Sequence, residues 1–84
     1  MGNGSSSETY FEFSCQLPSE FAEIWNCFCF EEGALGIQIL KESNYESVLK
    51  IFFKKKPTGG TKKLVSNFQN EISTKLNFKI FQEN

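Results

Sequence analysis

Residues able to carry acid–base or nucleophilic chemistry are few in this sequence. Its 84 residues include no histidine, arginine or aspartate, so all nine cations are lysine and all ten anions are glutamate. Without histidine, the chain lacks a proton shuttle near neutral pH and cannot assemble a Ser-His or Cys-His nucleophile pair. Without arginine, the chain has no side chain that can bind phosphate or carboxylate through bidentate hydrogen bonds. We therefore expect this chain to have no enzymatic activity and to function by binding through a surface.

The three cysteines, Cys15, Cys27 and Cys29, are the remaining reactive side chains. An odd number of cysteines in a chain without a secretory signal is typical of a reducing cytoplasm, which predicts free thiols and a cytoplasmic location. Cys27 and Cys29 lie two residues apart on a predicted helix, so their side chains diverge. A metal site would need two further ligands that the sequence does not supply, and we expect none.

A lysine-rich segment is the one candidate for binding an anion. Residues 54–63 carry five of the nine lysines around a Gly-Gly pair at the start of a predicted helix, where backbone N–H groups favour negative charge. The segment lacks the spacing of a P-loop, so a solvated lysine loop is the alternative interpretation. The residues of this candidate anion site are Gly59, Gly60, Thr61, Lys62 and Lys63.

Alternating and helical apolar patterns predict six elements in the order strand, helix, strand, strand, helix, strand. The strands are expected near residues 9–17, 36–41, 45–54 and 77–81. Ser19 and Thr61 are the expected helix caps, and Gly33 should end the first helix. The expected buried stripes are Phe21, Ile24, Trp25 and Phe28 in the first helix, and Leu64, Val65, Phe68, Ile72 and Leu76 in the second.

This order predicts an α+β fold, the ferredoxin-like βαββαβ two-layer sandwich. Both helices should cover one face of a four-stranded antiparallel sheet. We expect a single domain over residues 9–84, with residues 1–8 as a disordered tail or a cloning remnant. The longest nearly apolar stretch, residues 21–30, is too short to cross a bilayer, so no membrane partner is expected.

The sheet face away from the helices is the best candidate binding surface. Three aromatic and two charged side chains should lie on it: Tyr10, Glu12, Lys50, Phe52 and Phe81. RNA-recognition modules share this topology and stack bases on such aromatics. The third strand here lacks their Gly-aromatic signature, the net charge is −1 and arginine is absent, so nucleic acid is not the expected partner.

Three segments resemble a known family: Tyr10-Phe11-Glu12-Phe13, Leu17-Pro18-Ser19-Glu20 and Phe30-Glu31-Glu32-Gly33-Ala34-Leu35-Gly36-Ile37. They are similar to the opening of the bacterial ribosomal-protein methyltransferase family (PrmA). That family begins with an aromatic-x-Glu strand, a Pro-led helix and a Glu-x-Gly-Ala-x-Gly junction. The resemblance covers about residues 9–83 and is best over the first 35 or so.

The resemblance implies a ferredoxin-like substrate-recognition domain. In the family, this domain holds the eleventh protein of the large ribosomal subunit for a separate methyltransferase domain that binds S-adenosylmethionine. The Gly-rich cofactor loop of that catalytic domain has no counterpart in these 84 residues. We expect either an excised domain or a stand-alone relative, with no cofactor of its own. The alternatives are a stand-alone ferredoxin-like domain that binds a small anion or regulatory ligand, or RNA.

Overall fold

The computed structural model describes residues 10–83, and the predicted tail over residues 1–8 lies outside this range. The fold is α+β, with a four-stranded antiparallel sheet and two α-helices, compatible with a ferredoxin-like sandwich. Neither helix in the described range is long and apolar enough to cross a membrane. The elements are β1 (Phe11–Pro18), a 3-10 turn (Ser19–Phe21), α1 (Ala22–Glu31), β2 (Ala34–Glu42), β3 (Glu46–Phe53), α2 (Gly60–Glu71) and β4 (Lys79–Phe81).

The strand order is β2-β3-β1-β4, so β1 and β3 are the central strands. Their odd-numbered residues point to one side of the sheet, because alternate residues of a strand share a face. On that side they pack against Trp25 of α1 and Phe68 of α2, whose ring centroids are 5.0 Å apart. The buried cluster comprises Phe11, Phe13, Cys15, Leu17, Trp25, Phe28, Cys29, Leu49, Ile51, Phe53, Leu64, Val65 and Phe68. Since both helices contribute to this one cluster, both pack on the same side.

The first helix ends as predicted but buries a slightly different stripe. Gly33 adopts a φ of 106°, in the left-handed region that glycine enters without strain, and stops α1. The prediction for Ile24 was wrong: it is 45% exposed. The helix instead directs three residues at i, i+3 and i+4 into the core, namely Trp25, Phe28 and Cys29.

Ser19 does not cap α1, which corrects a second prediction. Its hydroxyl donates to the Ser43 carbonyl oxygen at 2.7 Å and lies 2.9 Å from the Ser47 hydroxyl oxygen. Its backbone N–H donates to the Tyr45 carbonyl oxygen at 3.0 Å. Ser19 therefore ties the beginning of α1 to the turn between β2 and β3.

The second helix begins one residue before the predicted cap. Gly59 precedes it with a φ of 84°, and Thr61 is buried inside the first turn, where it cannot act as the cap. The helix also ends before the predicted apolar stripe does, because Ser73 turns into the left-handed region with a φ of 55°. Leu76 and Phe78 still pack against the core, but from the connecting segment, which leaves β4 only three residues long.

Candidate protein-binding face

The sheet side turned away from the helices carries the even-numbered residues of β1 and β3. In the strand register, Glu12 lies opposite Phe52, and Ser14 lies between Lys50 and Phe81. Four of the five residues predicted for a binding surface therefore share this side. We call it the open face and define it by Glu12, Ser14, Gln16, Gly36, Gln38, Lys41, Val48, Lys50, Phe52, Lys79 and Phe81.

The fifth predicted residue, Tyr10, precedes β1 and lies at the rim of the open face. It lines a groove together with Phe52, so the structure brings all five predicted residues onto one surface. Tyr10 is 52% exposed and Phe81 is 38% exposed, whereas Phe52 is half-buried. Aromatic side chains held partly in water are typical anchors of protein interfaces.

Charged side chains on the open face are partly matched within the face itself. The Lys50 ammonium lies 3.4 Å from the Glu12 carboxylate, and both side chains are about one-quarter to one-third exposed (29% and 27%). The Gln16 amide donates to the Glu46 carboxylate at 2.7 Å. Partly solvated pairs of this kind add little stability, roughly 0–1 kcal/mol, but they leave the middle of the face without an unbalanced charge.

Ser14 forms a small polar site at the centre of the open face. It is fully buried between its larger neighbours in the register, and its hydroxyl has no hydrogen-bond partner within residues 10–83. A buried hydroxyl without a partner costs about 1–3 kcal/mol, so Ser14 does not serve stability.

Two bulges in β2 add residues that the alternation pattern did not predict. The β2–β3 register shifts between Ala34 and Gly36 and again between Ile39 and Lys41, which inserts Leu35 and Leu40. Bulges re-aim side chains, and Leu35 turns to the rim of the open face. There it lines a groove of about 290 Å³ together with Tyr10, Gly36 and Phe52. The only signal in the sequence was a glycine within a strand, which often marks a bulge.

The predicted anion site lies at the amino end of α2, and its five residues are consecutive there. Gly59 and Gly60 both adopt left-handed φ values, 84° and 82°. A Cβ at Gly59 would lie 2.8 Å from Lys63 Cγ, so glycine is needed for the lysine stem to cross the loop. The Thr61 hydroxyl donates to Glu83 Oε2 at 2.8 Å. A carboxylate of the chain itself therefore lies beside the positive end of α2, which the helix dipole favours.

The thiols separate into one exposed and two buried groups. Cys27 is exposed, whereas Cys15 and Cys29 lie in the core. Burial raises the pKa of Cys15 to about 12, and the neighbouring Trp25 side chain opposes this shift. Burial also raises the pKa of Cys29, with a further contribution from the nearby Cys15 and from the negative charge of Glu32. Both buried thiols stay protonated and unreactive at neutral pH.

No group of three or more potential metal ligands occurs within residues 10–83. Comparison of the chain with family models, with curated proteins and with solved structures gives no match. The site is therefore defined by the geometry of the chain alone.

Proposed function

We propose that this chain is a ferredoxin-like domain that binds a protein through the open face and catalyses no reaction. The observation that carries the proposal is the contrast between the two sides of the sheet. One side is sealed by Trp25, Phe68 and their neighbours, whereas the other holds Phe52 and Phe81 partly in water around the Glu12–Lys50 pair. A surface that combines partly exposed aromatic side chains with a balanced charge pair has the mixed composition of a non-obligate protein interface.

The partner that we propose is the eleventh protein of the large ribosomal subunit, in the cytoplasm. This choice is supported by the resemblance of residues 10–37 to the ribosomal-protein methyltransferase family. Under this proposal the chain recognises the substrate, and a separate domain outside these 84 residues binds S-adenosylmethionine and transfers the methyl group. No side chain within residues 10–83 is assigned a catalytic role.

The proposal can be tested by titrating the isotope-labelled chain with this ribosomal protein. The measurement is the change in backbone amide chemical shifts along the strands and the helices. The informative variant is Phe52→Glu, which places a charge on the open face between Glu12 and Gly36 in the register. The matched control is Phe30→Glu, because Phe30 is 51% exposed on α1, on the other layer of the domain.

We expect Phe52→Glu to weaken binding by about tenfold or more, as loss of an interface anchor does. Phe30→Glu should change the dissociation constant by less than about twofold, like most surface substitutions. Equal losses for the two variants, or shifts confined to α1 and α2, would reject the open face as the binding surface. Shifts produced only by phosphate, at Gly60 to Lys63, would favour the small-anion function instead.

A further inference from the structure

The groove beside Phe52 is shallow and open to solvent, and its size suits a single side chain. Its walls are Tyr10, Leu35 and Phe52, and its floor is the backbone of Gly36. The space above this floor is open because Gly36 has no side chain. A Cβ atom at this position would meet no heavy atom within 4 Å. The bulge that inserts Leu35 raises one wall beside this floor.

The chemistry of the groove favours an uncharged apolar occupant. None of the four lining residues is charged, and Glu12, which lies opposite Phe52 in the register, already pairs with Lys50 at 3.4 Å. A volume of about 290 Å³ can receive one aliphatic side chain and its backbone. Two aromatic rings and a leucine offer such a side chain dispersion contacts and removal from water.

A cation, Lys41, lies on the strand that carries Gly36, at the end of the open face away from the groove. Lys41 pairs with Val48 in the register, four residues from Phe52 along β3, which corresponds to roughly 13 Å in an extended strand. Lys41 is exposed and takes part in no ion pair within the described part of the chain. An acidic residue four positions from the apolar anchor, in an extended segment, would reach it.

We propose that the open face binds an extended protein segment, an inference that rests on the proposed function. Its aliphatic side chain fills the groove of Tyr10, Leu35, Gly36 and Phe52, and its carboxylate, about four residues away, pairs with Lys41. The groove supplies the anchor, and the lysine sets the direction in which the segment lies. The partner segment is therefore apolar at one end and acidic at the other.

Gly36→Val tests the groove, because the added side chain projects from the backbone of residue 36 into it. The φ of Gly36 lies outside the left-handed region and the space above it is open, so the fold accepts valine, which also has the higher strand propensity. Ile39→Val is the control: it also places valine on β2, but opposite Leu49, at an exposed position outside the open face and the groove. Thermal unfolding of both variants verifies the fold.

With the large-subunit ribosomal protein as the partner, we expect Gly36→Val to weaken binding about tenfold without lowering the melting temperature. Ile39→Val should change affinity less than about twofold. Lys41→Glu should slow association more than it speeds dissociation. Lys75 is an exposed lysine between α2 and β4, and Lys75→Glu should leave the association rate unchanged. Unchanged affinity in Gly36→Val overturns the proposal while leaving the open face as the binding surface.

A second probe separates this proposal from the proposed function. N-acetyl-leucinamide offers the anchor alone, with an expected dissociation constant on the order of millimolar. It should shift the amides of Leu35, Gly36 and Phe52 in the natural chain, and Gly36→Val should abolish these shifts. This result supports the groove even if the ribosomal protein does not bind. If these shifts are absent at about 50 mM N-acetyl-leucinamide, tens of times the expected dissociation constant, the proposed groove is overturned.

Discussion

Truncation of Phe13 and of Phe52 to alanine should affect stability very differently, although both are phenylalanines on central strands. Phe13 is fully buried, with its ring centroid 6.1 Å from that of Phe11 and 6.3 Å from that of Phe53. Removing a buried phenylalanine costs about 3–5 kcal/mol, because apolar surface and packing are lost and a cavity remains. Phe52 is half-buried on the open face and leaves no closed cavity, so its loss should cost about 1 kcal/mol.

An 84-residue domain has a total stability of about 4–13 kcal/mol, so Phe13→Ala should remove much of it. Urea unfolding can be followed through the fluorescence of Trp25, the single tryptophan, which is buried where both helices meet. Phe52→Ala should lower the melting temperature by about 4–8 °C and Phe13→Ala by several times that amount. If Phe13→Ala does not fold, its loss is at least as large as the whole stability of the domain, and the predicted order of the two variants still holds. A larger loss for Phe52→Ala than for Phe13→Ala would mean that the two faces are assigned the wrong way round.

Four further predictions concern single sites. A thiol reagent at neutral pH should modify only Cys27, with Cys15 and Cys29 reacting on unfolding; native reaction of a second thiol contradicts their burial. Burial raises the pKa of Cys15 from 9.0 to about 12 and also raises that of Cys29, so the unfolded state ionises first. The contribution of these thiols to stability should be constant below about pH 9 and fall above it by roughly 1.4 kcal/mol per pH unit for each thiol, so the slope should be about half as steep in Cys15→Ala; an equal slope refutes the shift. Ser14→Ala should raise the unfolding free energy by about 1 kcal/mol, and a loss would mean that the hydroxyl has a partner. Gly33→Ala should cost about 1–2 kcal/mol by denaturant unfolding because of its φ of 106°, and a neutral effect would contradict that conformation.

The parts of the fold that depend on periodicity could be predicted from the sequence. Phe13 and Ile51 lie in the core because apolar residues alternate along β1 and β3. The burial of Trp25 and Phe68 follows from the helical spacing of the apolar residues around them. Gly33 follows from a local backbone requirement. Each of these features is set within a few residues of the chain, which is why a pattern reveals it.

Features that depend on distant partners could not be predicted. Ser19 has the composition of a helix cap but bonds to Ser43 and Ser47, 24 and 28 residues away. Thr61 bonds to Glu83, 22 residues away. The β2 bulge that turns Leu35 toward Phe52 arises from how β2 pairs with β3, so the groove became visible only in the folded chain.

Cross-saturation between the unlabelled ribosomal protein and the labelled chain most directly tests binding through the open face. Irradiating the partner attenuates signals of side chains in direct contact with it, and aromatic rings report from both layers. We expect attenuation of the Tyr10, Phe52 and Phe81 rings, with the exposed Phe30 and Tyr45 rings unaffected. Attenuation of Phe30 or Tyr45 without Phe52 would place the partner elsewhere on the domain and contradict binding through the open face.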